Sequence, residues 1–507
     1  MRSRSREVLL IAALAALSLA PFLLVATPPL VDLPGHMGRY FVQLNLARSP
    51  LLQRDWAFHW RLSGNLGIDL LIGPLSQLLG LERAVWLIAA TLPPLMIWGL
   101  ARISWAIHGR ISPFMLAATP FVFAYPFQFG FLNDWLSTAL ALHAFASWVG
   151  ASSWGAWRRA LVFAPAAALI WLCHVYGWAI LLVLAGAWEL ERAWTARPSQ
   201  WPAMTARISA RLWPIGLPIL LVVLWRHGES GGGGTANFFN PFLKLEGLVF
   251  VLRDQNMLVD LASLIFASGL IYFMVRQRQV RIEPGLALAA WLFALLAALL
   301  PFSLFGSDMA DTRLIPVAFM IALTSGKPRL EAWRPARTAG ALALILFLGR
   351  LALMAQGFMD YDRDFRQHLQ ALDHVPQGAS IAVLRPARCA VSAHTWRTSR
   401  LDHLDSLAIV RRSAFVNSQW SIPGAQSLEP LHATGTDFNA DPSEVVRRPL
   451  NCALPLTPQY LARLKALPRA KFDYLWLLDF DLDDLPPPKG MTRLYGDSRS
   501  ALYRINR

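Results

Sequence analysis

"LLVATPPLVDLPGHMGRYFVQ" (residues 23–43) ends an apolar run at two prolines and then places Asp32, His36 and Arg39 within a few residues. The spacings of four and seven put all three on one face of the helix that follows. A carboxylate, an imidazole and a guanidinium at the mouth of an apolar segment need a reason, because lipid excludes unpaired charge. Whether the preceding run crosses a membrane therefore decides the fold.

Composition answers in favour of lipid. Of 507 residues, 55% are hydrophobic and 16% charged, with 21 tryptophans, and the mean hydropathy is +0.40. Soluble chains carry roughly 25% charged residues. The net charge of +15 would suit nucleic acid, but the basic residues cluster in short bridges between apolar runs, the pattern of a topology signal. Nucleic acid is accordingly set aside.

Residues 8–29, with Arg2, Arg4 and Arg6 before them, read as a retained first helix with a cytoplasmic N-terminus. Further apolar runs fall at about 83–104, 112–126, 130–149, 157–171, 173–192, 208–226, 257–275, 284–303, 312–325 and 338–356. The expectation is an α-helical polytopic protein of the bacterial cytoplasmic (inner) membrane with about 11 transmembrane helices. The bridges at His108/Arg110, Arg158/Arg159, Arg192–Arg211, Arg276–Arg281 and Lys327–Arg337 are all basic and fall inside under that count, which leaves the C-terminus outside.

The remaining bridges hold nearly every acidic or imidazole group near a helix end. They are residues 30–82, "YPFQFGFLND" (125–134), the turn at His174, 226–247 with its glycine run at 231–234, and "SLFGSDMADTRLIP" (303–316). Within 30–82, residues 35–48 suit an amphipathic helix and 65–80 a second interfacial segment. After Arg350 the pattern changes. "DYDRDFRQHLQALDHVPQGASIAVL" reads as helix, turn and strand, "RSAFVN" as a short strand, and "TPQYLARLKALPRAKFDYLWLLD" as helix, turn and strand. The chain thus divides into a membrane domain at 1–356, including the outer loop 30–82, and a C-terminal extracytoplasmic α/β domain at 357–507. Cys389 and Cys452 both lie in this last part and can pair if it is extracytoplasmic; two unrelated thiols read equally well.

Among the candidate functional residues, Asp32 is either a helix cap or a general base kept ionised by His36 and Arg39. Asp308, Asp311 and Arg313 sit at the outer end of a helix, as anchors or as the guanidinium that meets a lipid phosphate at headgroup level. Asn133 and His174 are caps or interior groups on one reading and ligands on the other. Asp69 lies in the interfacial segment, near Asp55, His59 and Arg61. No metal site is assigned, since these spacings define no coordination geometry and a divalent metal has little support. The acidic string "DFDLDDLPPP" (479–488) lacks the glycine and terminal glutamate of a calcium loop.

"VDLPGHMGRY" (31–40), "NLGIDLL" (65–71), "FGFLND" (129–134), "HVYGW" (174–178) and "DTRLIPV" (311–317) resemble a group of bacterial membrane proteins related to the GT-C superfamily of membrane glycosyltransferases. The resemblance covers the first loop and the membrane part, and hardly the C-terminal domain. It implies an inverting glycosyltransferase that moves a sugar from a polyprenyl-phosphate donor to an extracytoplasmic glycan, lipid or protein acceptor, with Asp32 as the first-loop catalytic residue. Many GT-C members carry an adjacent acidic pair there, whereas Asp32 is followed by Leu33, Pro34 and Gly35. Arg39 or Arg313 would then hold the phosphate. The rival expectations are a transporter or flippase for a lipid-linked glycan and a noncatalytic envelope-polymer assembly protein.

Overall fold

The computed structural model describes residues 2–196, 201–227, 234–304, 307–329, 333–389, 395–421, 426–448 and 452–506. Most of the glycine run at 231–234 lies outside the described residues. The chain forms two compact bodies. One holds Met1–Leu24, Leu62–Leu71 and Leu87–Gln356, and the other holds Val25–Arg61, Ile72–Trp86 and Gly357–Arg507.

The first body is helical. Among the described residues, five helical segments are long and apolar enough to cross a membrane: Arg4–Leu23, Leu81–His108, Ala156–Cys173, Met257–Arg276 and Trp333–His374, the first and last counted through short breaks. Trp201–Gly216 and Ile219–Trp225, bent by 51°, make a sixth if they form one span. This is fewer than the eleven expected, and the difference has physical causes. The run at 112–126 folds as a 3-10 stretch, Pro113–Phe123, with every residue buried. Pro120 inside it removes a donor from any α-helical ladder. Pro284–Leu299 and Leu314–Ser325 have 16 and 12 residues, about 24 and 18 Å of helix against a hydrocarbon core of about 30 Å. Apolar runs in this chain thus serve packing as well as spanning.

Small residues bring the helices together. A Cβ on Gly177, in Val175–Thr195, would lie 2.4 Å from the Ser137 Cβ of Leu132–Gly150. That is the close backbone approach small side chains permit between apolar helices. Gly285 likewise meets Trp188, and a short ribbon pairs Val280–Ile282 antiparallel with Gly326–Pro328.

The second body is built on a six-stranded mixed sheet. Its central strand, Ser380–Pro386, runs parallel to Phe415–Val416, Val445–Val446 and Tyr474–Leu478. Ser500–Ile505 then pairs antiparallel with both Tyr474–Leu478 and Met491–Gly496. The helices and strands expected from the three C-terminal segments are present at Trp333–Leu369, Ser380–Pro386, Phe415–Val416, Thr457–Ala466 and Tyr474–Leu478. Six of the seven central-strand residues are buried, as a parallel strand covered on both faces requires. Cys389 and Cys452 form a disulfide with Cα atoms 5.7 Å apart, which closes the alternative of two unrelated thiols.

Much of the first outer loop belongs to this second body and not to the helical one. Trp56–Phe58 pairs antiparallel with Leu428–Pro430. The helix Leu33–Asn45, expected to lie on the membrane interface, instead buries Leu33, Pro34, Gly35, Met37, Gly38, Arg39, Tyr40 and Val42. Two glycines make that burial possible. A Cβ on Gly35 would lie 2.2 Å from the Trp420 ring, and one on Gly38 2.7 Å from the Gln419 carboxamide. A glycine pair three residues apart lets the helix backbone itself lie on Trp420 and Gln419.

Candidate functional site

Asp32 stands at the N-terminal end of the Leu33–Asn45 helix, but its side chain makes no capping hydrogen bond. The carboxylate turns instead to the C-terminal part of the same body, with Oδ1 3.7 Å from Nε2 of His403. The Trp420 ring meets His403 edge-on at 4.5 Å and His36 edge-on at 5.2 Å, so one indole separates the two imidazoles. Arg39 is buried at 5% exposure, with its guanidinium 4.8 Å from the Tyr40 ring centroid. Trp420 thus brings His36 and His403, the neighbour of Asp32, to one ring, and Arg39 acts on His36 from three residues further along the helix.

The electrostatics correct one expectation. Burial, reinforced by the Arg39 guanidinium and by His403, holds His36 well below the ordinary imidazole range. Burial and Arg385 push His403 down to about 3. Both rings are neutral near pH 7, so His36 offers a hydrogen bond and not the cation expected for it. Arg39, which acts on His36, is the positive charge of the helix that Asp32 begins. Behind His403, burial raises the Asp402 carboxyl, but Arg388 and Arg385 more than offset this and keep it ionised. Arg385 is 3.5 Å from Asp402 and 3.1 Å from Glu444. Burial pushes Asp405 up to about 7 despite the hydrogen bond from Ser418.

Several buried polar atoms on and against the Leu33–Asn45 helix have no hydrogen-bond partner, namely both carboxamide atoms of Gln419, the Ser406 hydroxyl and Nδ1 of His36. Gln419 and Ser406 are 0% exposed. Each orphan costs about 1–3 kcal/mol, so this cluster is a candidate place for a polar partner.

The other candidates lie in the helical body. Arg313 is 5% exposed and places its guanidinium 4.0 Å from the Phe131 centroid and 5.4 Å from that of Tyr176. Its Nη2 donates to the Ser307 hydroxyl at 2.8 Å and the Asp308 carbonyl at 3.0 Å, while its buried Nε has no partner. His174 Nδ1 accepts from the Tyr176 amide at 3.2 Å and caps the Val175–Thr195 helix. That nitrogen therefore carries no proton, and its 3.7 Å approach to Asp134 is not an ion pair. Asn133 ties two segments, accepting from the Ile68 amide at 2.7 Å and donating to the Asn65 side chain at 2.8 Å.

Asp311 does not pair with Arg313. It takes Lys244 Nζ at 2.5 Å and is 1% exposed. Asp308 accepts from Ser303 at 2.6 Å, and Asp69 is buried in the first turn of Gly67–Leu79. Sequence reasoning missed Lys244, His403, Gln419 and the buried pair Arg350–Asp260. The last had a signal, a single charge inside each of two apolar runs. His403 and Gln419 had none, since nothing local distinguishes them from ordinary loop residues.

The fold and its polar clusters define a multi-pass helical membrane protein carrying a mixed α/β body. No protein-family model and no curated protein matches the chain. Among solved structures, the chain is similar to arabinofuranosyltransferase AftD from Mycobacteria, determined by single-particle cryo-EM. The identity is 16% and the TM-score 0.45, over 98% of this chain. The match spans 41% of that longer chain.

Proposed function

We propose that the protein is an inverting glycosyltransferase that uses a polyprenyl-phosphate sugar and works outside the cytoplasmic membrane, where the Cys389–Cys452 disulfide is at home. The observation that carries this reading is the Asp32 carboxylate. It makes no helix-capping hydrogen bond, stands beside His403, and begins a helix that carries buried Arg39 and meets Gln419 and Ser406, whose polar atoms lack partners. Asp32 accepts the proton of an acceptor hydroxyl as that oxygen attacks the anomeric carbon. The bond from that carbon to the phosphate oxygen breaks, and its electron pair leaves with the polyprenyl phosphate. Arg39, on the helix that Asp32 begins, is the group that meets the growing phosphate charge. In the helical body, Arg313 is proposed as a lipid-phosphate contact, supported by its open Nε, with Asn133, His174, Asp69, Asp308 and Asp311 ordering its surroundings.

The test is transfer of radiolabelled sugar from a panel of polyprenyl-phosphate sugars by detergent-purified protein, with Asp32→Asn alongside. Transfer by the native chain and its loss in a variant of unchanged Tm is the expected result. Transfer by both would remove Asp32 from the chemistry. Tight donor binding with no transfer would favour a transporter or an assembly protein.

A further inference from the structure

A polar cavity lies in the helical body, apart from the residues of the candidate site. Its volume of about 530 Å³ falls within the roughly 300–1,000 Å³ of small-molecule sites, and it is lined by the end of Val175–Thr195 and the facing side of Trp201–Gly216. Its charged residues are Glu189, Glu191, Arg192, Arg207 and Arg211. Glu189 is already engaged, accepting from Trp148 Nε1 at 2.9 Å and Arg159 at 3.3 Å and lying 3.6 Å from Arg211. Glu191 accepts from Thr195 Oγ1 at 2.9 Å. Arg192 and Arg207 make no ion pair among the described residues, so the lining carries one positive charge in excess.

The flanks are apolar and wet-facing at once. Trp194 and Trp201 are 62% and 67% exposed and meet edge-to-face at 5.8 Å, as aromatic side chains do at headgroup depth. Leu220 and Leu224, on the second half of the bent helix pair, are also exposed.

We propose that this cavity binds the phosphodiester headgroup of a monoanionic membrane phospholipid. The guanidiniums of Arg192 and Arg207 take the two non-bridging oxygens, Glu191 accepts a headgroup hydroxyl, and the acyl chains lie along the exposed leucines. A single excess charge matches a phosphodiester, and the apolar flanks select a lipid over a soluble phosphate.

The experiment is native mass spectrometry of the full chain in neutral detergent, titrated with phosphatidylglycerol or phosphatidylcholine. The native chain is expected to retain phosphatidylglycerol at a concentration about tenfold lower than phosphatidylcholine, and the double variant Arg192→Gln, Arg207→Gln to lose that preference. Glycerol phosphate at the same concentration is expected not to displace the lipid. Equal retention of both lipids by the native chain, an undiminished preference in the variant, or displacement by glycerol phosphate would each overturn the proposal. If the glutamine variant fails to fold, Arg192→Lys, Arg207→Lys decides, since it keeps the charge and loses the planar fork. It is expected to retain about a third of the preference, and an unchanged preference in that variant also overturns the proposal.

Discussion

Two sets of buried polar groups, one in each body, are treated in opposite ways. In the helical body, Asp311 has Lys244, Asn133 has Asn65 and Ile68, and Arg350 has Asp260. Within a bilayer an unmet polar group costs several kcal/mol, and these pairs meet that cost, although Nε of Arg159 and Nε1 of Trp171 in the same body are buried without partners. In the α/β body, Gln419 and Ser406 are fully buried beside the Asp32 helix with polar atoms unmet. The first arrangement locks helices together, whereas the second leaves capacity for a ligand. Arg313 stands between these extremes, with Nη2 donating twice and Nε open.

That contrast can be broken by substitution. Asp32→Asn is expected to lower sugar transfer by a factor of about 10² or more, the scale of general-base contributions, with Tm within a degree or two of the native chain. A large fall in Tm would show instead that Asp32 is structural. Asp311→Asn should act in the reverse sense and destabilise the helical body by about 3–5 kcal/mol, because Lys244 is left half-buried without its carboxylate. Detergent thermal unfolding measures this, and a shift near zero would break the locking assignment.

Gly35→Ala sharpens the account of how the Asp32 helix is held. The added methyl meets the Trp420 ring, and overpacking of this kind costs about 1–3 kcal/mol. Unfolding of the α/β body should report that cost. Double substitution with Trp420→Leu should recover part of it.

The expected effect that is smallest near neutral pH is an acid dependence. Burial and Arg385 lower His403 to about 3 in the folded chain, against about 6.5 when unfolded. The unfolded chain therefore binds the extra proton between those values, and the stability this group contributes is complete above pH 6.5 and lost as pH falls towards 3. The slope is at most about 1.4 kcal/mol per pH unit. His403→Gln should flatten the stability profile in that window, and an unchanged slope would show that other groups set it.

Local pattern was enough for several parts of this molecule. The spacing of four and seven residues from Asp32 to His36 and Arg39 suits one helix face, and the structure forms that helix at Leu33–Asn45. The strands at 380–386 and 474–478 were visible as apolar runs bounded by turn residues. The span count was less legible, because a proline-containing run such as Pro113–Phe123 has the same composition whether it crosses a bilayer or packs as a buried 3-10 stretch. The destination of the first loop was not legible at all. Nothing in the sequence marks Gly35 and Gly38 as contact points, and only the presence of Trp420 and Gln419 on the other side shows it.

The amino-acid sequence by itself determined that this is a membrane chain, where its polar bridges fall, and which carboxylate stands at the mouth of its first apolar run. These follow from composition and from periodicities within a single segment. Tertiary structure alone decided that His403 faces Asp32, that Asp311 belongs to Lys244 and not to Arg313, and that His36 is neutral. Those outcomes depend on contacts between residues far apart in the chain and on how far each group is withdrawn from water, and neither quantity is encoded in local sequence.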